Sequence, residues 1–406
     1  MIFEKRGMTS VERKTPSTTA TFPEVSSPRI SRIPRISPET PISNPCHPCH
    51  PWSFARKCRC SARCASIAGM GLLLLCLMAA IPNGLAQQEP VKIILDTDML
   101  TDPEDVNALW LLNALADRGE AQILACVVNG HESSRASGAA VDVVNTWFGR
   151  TNIPLGAFKG GFPVKTSTWT HLLRDKYPHT APSDDLLPRA AEVYRHVLAS
   201  QPDHSVKIVS IGFLVNLADL LDSRPDQCSH LAGPELIRAK VKELVVMGGK
   251  YPEGREHNFY YGGVQSAALK VVDHWPSEVP IVFSGYEVGG SIISGKTYKQ
   301  KLADGPLRLA LLNHGSTYAE GSSLNRGRES WDETAVLYAV RGLSFQGVQY
   351  WTLHSGKCVV EVRDGSNKWS DKPVRNQAYL VAALPPDRIA QVLEELVLGA
   401  KPPGAR

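Results

Sequence analysis

From Val91 onward, apolar residues fall into short runs of strand length that alternate with longer amphipathic segments. Continuous apolar runs bounded by turn residues predict strands, and apolar positions three and four residues apart predict helices. The predicted strands are Val91–Leu95, Ala121–Val128, Ile153–Ala157, Val206–Ile211, Val241–Met247 and Val279–Phe283. The predicted helices are Asp105–Ala116, Arg135–Phe148, Leu186–Ser200, Val215–Leu221 and a last helix with the apolar stripe Ile389, Val392, Leu393, Leu396 and Val397.

This alternation indicates an α/β fold. Strands that are apolar along their whole length are typical of a parallel sheet that helices cover on both faces. After Ala86 the chain has no internal repeat and no Pro/Ser-rich linker. We therefore predict that residues 87–406 form one domain with a doubly wound, mostly parallel sheet and helices on both faces.

Two polar stretches, Gly160–Ser183 and Gly315–Arg328, interrupt the pattern of strands and helices. Loops of this length within a compact domain are often lids or binding loops. Both stretches are therefore candidates for contact with a ligand.

The N-terminal part of the chain differs in composition from the rest. Residues 1–66 are rich in Pro, Ser, Thr and Arg and have no apolar periodicity, which predicts a disordered leader or a start codon assigned too far upstream. The apolar run Ile67–Ile81 is about 15 residues long, whereas a membrane span needs roughly 20. It is preceded by the basic residues Arg56, Lys57, Arg59 and Arg63 and followed by small residues up to Ala86.

Residues 67–86 thus have the hydrophobic core and cleavage site of a signal peptide. We expect a secreted or periplasmic protein with no stable membrane span after processing. The alternative is a protein anchored in the membrane by an uncleaved N-terminal segment.

Charge and cysteine content exclude several classes of function. The net charge of +4 arises in the leader, because residues 87–406 contain 33 basic and 36 acidic residues. A near-neutral domain lacks the basic surface typical of nucleic-acid binding. Only Cys126, Cys228 and Cys358 follow the leader, too few for a disulfide framework. Cys126 falls in an apolar strand and is expected to be buried, whereas a Cys228–Cys358 bond is left open by the sequence.

The most informative segment is the acidic one that follows the first strand. Residues 96–105 read Asp-Thr-Asp-Met-Leu-Thr-Asp-Pro-Glu-Asp and contain five carboxylates. Such a cluster is repulsive unless a cation neutralises it, and ligands of α/β proteins bind at the carboxyl ends of strands. The segment therefore predicts a hard, oxygen-preferring metal ion beside a small-molecule site.

Two other readings of this segment fail. An EF-hand loop would require glycine where Thr101 stands and glutamate where Asn107 stands. A haloacid-dehalogenase-type phosphatase would have Thr or Val at position 100, which is Leu. Acidic first-turn residues favoured by the helix dipole remain an alternative for Asp102 and Glu104, and a helix N-cap remains one for Asp332.

Four segments, in the same order, resemble the inosine-uridine nucleoside hydrolase family. Residues 96–109 resemble its N-terminal signature D-[ST]-D-x(n)-D-D-x-x-A-L. Residues 209–216 resemble its V-x-T-G-x-x-T-N segment, and Met247-Gly248-Gly249 with Glu256-His257-Asn258 resembles its M-G-G and E-x-N segments. Trp331-Asp332-Glu333-Thr334-Ala335 stands where the family has H-D-x-x-A. The resemblance extends over about residues 91–398 and implies a nucleoside hydrolase-like fold.

The resemblance implies a role for each matching residue. The metal would be Ca²⁺, with carboxylate ligands from Asp98, Asp105 and Asp332 and a backbone carbonyl from Ile211. Asp98 would also be the general base for the attacking water. The residues expected to contact the substrate are Glu104, Asn129, Met247, Glu256, Asn258 and Trp331.

Trp331 is the main departure from the family pattern, because many relatives have a histidine there that is proposed to protonate the leaving base. Tryptophan cannot supply that proton, so we hypothesise that Trp331 stacks on the base. Leaving-group activation would then come from solvent or from another residue, with His131, His171, His179, His257 and His314 as candidates. The acidic loop is also longer than in the shortest family version, with Leu100 and Thr101 in place of part of a glycine-containing turn.

The expected function is calcium-dependent hydrolysis of the N-glycosidic bond of small-molecule ribonucleosides, giving ribose and a free base. The alternatives are a non-catalytic relative that binds ribose or nucleosides, and a hydrolase of another N-riboside. Relatives are commonly dimers or tetramers, so the resemblance implies a homodimer or homotetramer. The base preference cannot be read from the sequence.

Overall fold

The computed structural model describes residues 89–316, 321–372, 374 and 376–405. The predicted leader, residues 1–66, and the predicted signal peptide, residues 67–86, lie outside the described residues. Both remain predictions, as do the domain boundaries and the location of the protein. No helix in the described part of the chain is long and apolar enough to cross a bilayer.

Strands and helices alternate along the described chain. The strands are β1 Val91–Thr97, β2 Ala121–Val128, β3 His131–Glu132, β4 Leu155–Ala157, β5 Val164–Lys165, β6 Val206–Ser210, β7 Val241–Met247, β8 Glu253–Arg255, β9 Ile281–Ser284, β10 Ile293–Ser294, β11 Arg328–Glu329, β12 Ser344–Phe345, β13 Val348–Gln349, β14 Trp351–Ser355, β15 Lys357–Val360, β16 Ser366–Ser370 and β17 Gln377–Ala382. The helices are α1 Glu104–Asp117, α2 Ser137–Trp147, α3 Thr170–Lys176, α4 Ala190–Ala199, α5 Val215–Asp222, α6 Gly233–Lys240, α7 His257–Tyr260, α8 Gln265–His274, α9 Tyr286–Gly290, α10 Tyr298–Lys301, α11 Pro306–Asn313, α12 Ser323–Arg326, α13 Trp331–Arg341 and α14 Pro386–Leu398.

The main sheet confirms the predicted fold class. Its order is β14-β17-β9-β7-β6-β1-β2-β4, and every neighbouring pair is parallel except the edge pair β14–β17. From β1 the chain first builds outwards through β2 and β4, and then returns to place β6 on the other side of β1. The strand order therefore reverses between β1 and β6, which is where open α/β sheets form a ligand-binding crevice.

Helices pack on both faces because neighbouring residues of each strand point to opposite sides. In β1, Ile93 and Leu95 belong to the apolar layer under α1, α2, α13 and α14, whereas Ile94 belongs to the layer under α4, α5, α6 and α8. All three side chains are completely buried. Burying both faces requires strands that are apolar throughout, which is why this pattern was readable in the sequence.

Several predicted boundaries shift for local reasons. The helix predicted from Leu186 begins at Ala190, because Pro188 disfavours helical backbone at Leu187, which is extended. The N-cap interpretation of Asp332 is wrong, since Ser330 precedes α13 and Asp332 lies inside its first turn. The predicted loops also contain short elements, with β5 and α3 in the first and α12 in the second.

The three cysteines after the leader are free thiols. Cys126 is buried as predicted. Cys228 is exposed whereas Cys358 is buried, so the bond that the sequence left open is absent.

A buried arginine of α4, Arg195, hydrogen-bonds to the loop between α5 and α6. The Arg195 side chain is only 3% exposed and donates two hydrogen bonds to the Asp226 carboxylate, at 2.6 and 3.0 Å. It also donates to the carbonyls of Ser229 and Leu231. The hydrogen bond from Arg195 lowers the pKa of Asp226 to about 2.

We expect Asp226→Asn to lower the free energy of unfolding by about 1–2 kcal/mol at neutral pH, because it removes a charge-assisted pair from a buried guanidinium. A depressed pKa contributes stability above the ordinary aspartate value of about 4, and this contribution is lost as the pH falls towards about 2. Urea unfolding at several pH values measures the difference. The matched control is Asp219→Asn, since Asp219 pairs with the more exposed Arg189. An Asp226→Asn effect equal to that of the control at neutral pH would contradict the expectation.

Candidate active site

A cavity of about 290 Å³ lies at the carboxyl ends of β1, β6 and β7, beside the point where the strand order reverses. Nine of the ten residues proposed for the site from the sequence line it. They are Asp98, Glu104, Asp105, Ile211, Met247, Glu256, Asn258, Trp331 and Asp332. The tenth, Asn129, does not.

The acidic loop enters the cavity through a strained turn. Met99, directly after Asp98, is completely buried and has a positive φ of 38°, a conformation that costs non-glycine residues energy. Its amide N–H donates to the Asp105 carboxylate at 3.1 Å, and the Thr97 hydroxyl donates to the same oxygen. The turn therefore brings Asp98 and Asp105 together, although seven positions separate them in sequence.

Carboxyl groups from opposite ends of the chain meet in this cavity. Asp105 and Asp332 are buried, and Asp98 is partly exposed on the cavity wall. Burial and the charges of Asp105 and Asp102 raise the pKa of Asp98 well above its usual value. Burial and the charges of Glu104, Asp105 and Asp98 do the same to the pKa of Asp332. These carboxylates are thus close enough to repel one another.

The donor chemistry fits a hard divalent cation, because oxygen ligands with like charges are what Ca²⁺ and Mg²⁺ neutralise. Within the described residues, no group of three or more His, Cys, Asp or Glu side chains already has the arrangement of a finished metal site. Asp98 and Asp105 are close enough for each to affect the pKa of the other.

A second set of polar groups lies at the end of β7. Glu256 is buried and accepts hydrogen bonds from the backbone N–H groups of Gly249 and Asn258, at 3.0 and 2.8 Å. Burial raises the pKa of Glu256 to about 7 even though these bonds oppose the shift. The Asn258 amide donates to the Met247 carbonyl at 3.1 Å. Both side chains are therefore held rigidly at the cavity wall.

Asn129 supports the site from behind. Its amide nitrogen donates to Asp96 at 2.8 Å, and its oxygen accepts from the Phe213 N–H at 3.0 Å. Asp96 also accepts from Tyr194 and Asn216, at 2.9 and 3.0 Å, so this buried carboxyl joins β1 to three other segments. Asn129 thus binds the scaffold and does not line the cavity, and its contact with a substrate stays a prediction.

Gly212 is required by this packing. A Cβ atom at position 212 would lie 2.6 Å from the Asn129 side-chain oxygen and 2.7 Å from the Asp98 amide nitrogen. Any other residue would push the Asp98 loop away from the end of β6. Steric exclusion of a side chain thus explains why position 212, which matches the glycine of the V-x-T-G segment, is glycine.

Trp331 is held in place at the rim of the cavity. Its indole N–H donates to the Tyr286 carbonyl at 2.8 Å, and the two rings pack with centroids 5.1 Å apart. Its backbone lies against Gly289, where a Cβ atom would come within 2.2 Å of the Trp331 Cα. Trp331 also lines the cavity, where the stacking role stays a prediction.

Arg328, Asp102 and His314 form an ionic cluster at the same rim. Sequence reasoning assigned no site role to Arg328 or Asp102, and it named His314 only as a candidate proton donor to the leaving base. Arg328 donates to Asp102 at 2.8 Å and lies 3.6 Å from Glu104. His314 lies 3.3 Å from Asp102. Burial alone would raise the pKa of Asp102, but the hydrogen bond from His314 and the charge of Arg328 lower it. Arg328 is the last residue of the stretch Gly315–Arg328 that the sequence marked as a binding loop, and His314 directly precedes that stretch, which was the available signal.

His257 is the only one of the five histidine candidates that lines the described cavity. Burial and the nearby charge of Lys165 lower its pKa to about 4. The Lys165 ammonium lies 3.2 Å from the His257 ring nitrogen and donates to it. A neutral imidazole in this setting is a poor proton donor to a leaving group.

Comparison with known proteins agrees with the fold described above. The family model described as inosine-uridine preferring nucleoside hydrolase matches residues 93–382. No curated protein matches the chain.

Solved structures show the same fold. A plant nucleoside hydrolase is 16% identical, covers 77% of this chain and 100% of its own, and superimposes with a TM-score of 0.57. The inosine-uridine preferring nucleoside hydrolase from Bacillus anthracis is 13% identical, with 76% and 99% covered and a TM-score of 0.55. The purine-preferring ribonucleoside hydrolase from Gardnerella vaginalis is 15% identical, with 76% and 98% covered and a TM-score of 0.55.

Replacing Arg328 tests whether the ionic cluster holds the rim together. We expect Arg328→Gln to lower the free energy of unfolding by about 1–3 kcal/mol, because Glu104 would lose its neighbouring cation in a buried position. Urea unfolding measures the loss. The matched control is Arg363→Gln, which removes a fully exposed pair with Glu361 and should leave stability nearly unchanged. Equal losses in the two variants would show that the cluster contributes nothing.

Proposed function

Because the chain belongs to the inosine-uridine preferring nucleoside hydrolase family, we propose that it hydrolyses the N-glycosidic bond of ribonucleosides with the help of a calcium ion. The family is generally metal-dependent. The observation that carries the proposal is the meeting of Asp98, Asp105 and Asp332 in one cavity beside Glu256 and Asn258.

Asp98, Asp105 and Asp332 are the carboxylates that would hold the ion, with the Ile211 carbonyl as a further oxygen ligand. When bound, the ion neutralises these acids, orients a vicinal diol and makes water more acidic. Glu104, beside Asp105 at the start of α1, contacts the ribose hydroxyls. Glu256 and Asn258 hold the 5′ end of the ribose, with Met247 packed beside it.

The reaction breaks the bond between C1′ and the base nitrogen and forms a bond between C1′ and a water oxygen. Asp98 accepts the proton of that water, as its position on the cavity wall allows. The transition state has oxocarbenium character, so nearby carboxylates stabilise the charge that develops on the sugar. The departing base takes its proton from solvent, since Trp331 cannot donate one and His257 is neutral. Trp331 instead stacks on the base.

Replacing the proposed general base tests the chemistry. We expect Asp98→Asn to lower kcat by about 10²–10⁴-fold on a panel of ribonucleosides while the far-UV circular dichroism is unchanged. The matched control is Asp387→Asn, an exposed acid on α14 that should leave kcat unchanged. Activity that survives Asp98→Asn would remove Asp98 from this role. Ribose binding without turnover of any nucleoside or other N-riboside would instead identify a non-catalytic relative.

Calcium dependence has its own test. The repulsion among the cavity acids should make the metal-free protein less stable than the loaded one. Binding of calcium to the folded state alone stabilises it by about 2.7 kcal/mol at a calcium concentration 100 times Kd. Thermal unfolding with calcium and with a chelator measures this difference. Asp332→Asn should abolish the calcium-induced rise in Tm and raise Tm in chelator, because one repelling charge is gone. A calcium response that persists in Asp332→Asn would exclude Asp332 as a ligand.

A further inference from the structure

The two ends of the cavity carry opposite charges. The acids that would hold the ion lie at its floor, whereas Arg255 lies at its mouth, in the last position of β8. Arg255 is exposed, and its guanidinium lies over the Tyr260 ring, 3.8 Å from the centroid. The role proposed above for this cavity gives Arg255 no task.

The guanidinium of Arg255 is held in place, and its charge helps to lower the pKa of the nearby Asp364 carboxyl. Its Nε donates to the backbone carbonyl of Asp364 at 2.7 Å, which fixes the plane of the group. Among the residues that the structure describes, it forms no ion pair with a carboxylate within 4.0 Å. The two terminal nitrogens of such a group can donate in parallel to the oxygens of a bound anion.

The backbone under Arg255 is also rigid. β8 pairs with β16, and Ser366 lies opposite Arg255. The Asn367 side chain, from the same strand, exchanges two hydrogen bonds of 2.9 Å with the backbone of Lys250. Lys250 places its ammonium 5.5 Å from the centroid of the Tyr286 ring, which lines the cavity. Arg255 from this small sheet thus lines the cavity, and Lys250 from the segment before β8 lies beside Tyr286, another lining residue.

The position of Arg255 relative to the sugar identifies the anion. Glu256 and Asn258, which follow Arg255 directly, are the residues proposed to hold the 5′ end of the ribose. A 5′-hydroxymethyl group is neutral and leaves the guanidinium unused. A phosphate on the 5′ oxygen would extend from the sugar towards Arg255 and away from Asp98, Asp105 and Asp332, which would repel it. The acid at the 5′ end, Glu256, repels it less, because burial raises the pKa of Glu256 to about 7.

We infer that this cavity binds ribosides that carry a phosphate on the 5′ oxygen, with Arg255 as the bidentate phosphate ligand and Lys250 as a second cation. The inference rests on the proposed function, because it uses the sugar orientation that Glu256 and Asn258 define. It narrows the substrate class from nucleosides to 5′-phosphorylated N-ribosides. The chemistry of bond cleavage is unchanged.

Binding of the sugar alone provides a test that does not depend on turnover. Isothermal titration in calcium would compare ribose 5-phosphate with ribose. We expect ribose 5-phosphate to bind at least tenfold more tightly, and this ratio to fall to near one in Arg255→Gln. Arg255→Lys should restore part of the preference, since it returns the charge without the bidentate geometry. The control Arg388→Gln, an exposed arginine on α14, should leave the ratio unchanged.

Hydrolysis separates the inference from the proposed function. The expected result is a kcat/KM for uridine and inosine 5′-monophosphates at least tenfold above that for the nucleosides, with Arg255→Gln reducing this preference through KM. Turnover of nucleosides without any preference for phosphate in either experiment would overturn the inference and keep the proposed function. An Arg255-dependent preference for ribose 5-phosphate without turnover would support the inference and overturn the proposed function. A preference for carboxylated bases but not for a 5′-phosphate would also overturn the inference.

Discussion

Repulsion among carboxylates in one secluded cavity is the constraint that shapes this protein. Burial and neighbouring acids raise the pKa of Asp98 and of Asp332, and compensating contacts hold these acids in place. Thr97 and the Met99 N–H hold one oxygen of Asp105, and Met99 accepts a strained backbone to do so. Fixed acids of like charge favour the binding of a cation, and a cation between them would favour the binding of a sugar diol.

The scaffold behind these acids is itself built around a carboxyl group. Asp96 accepts hydrogen bonds from Tyr194, Asn129 and Asn216, and thereby ties β1 to α4, the end of β2 and α5. Burial raises its pKa to about 7 despite these bonds. The close approach at Gly212 then brings the ends of β1 and β6 together. The strained loop can keep its conformation because several hydrogen bonds hold the framework below it in place.

The rim of the cavity adds a second layer of electrostatics. Arg328 neutralises Asp102 and Glu104 and packs near the face of Trp331, with its guanidinium 5.3 Å from the ring centroid. Arg255 lines the same cavity. The proposed binding mode would place a cation and the sugar diol against the buried acids and a 5′-phosphate near Arg255.

The sequence by itself determined the sheet, the family and most of the cavity lining, because buried parallel strands are continuously apolar and a catalytic loop keeps its residue types. It placed Asp98 and Asp332 in one site through the resemblance, although 234 positions separate them. Only the tertiary structure showed that Asn129 supports Asp96 and that Ser330, not Asp332, precedes α13. It alone brought Arg255 and Arg328 to the cavity, since these residues arrive through short strand pairings between distant loops, and such pairings leave no periodic pattern in a sequence.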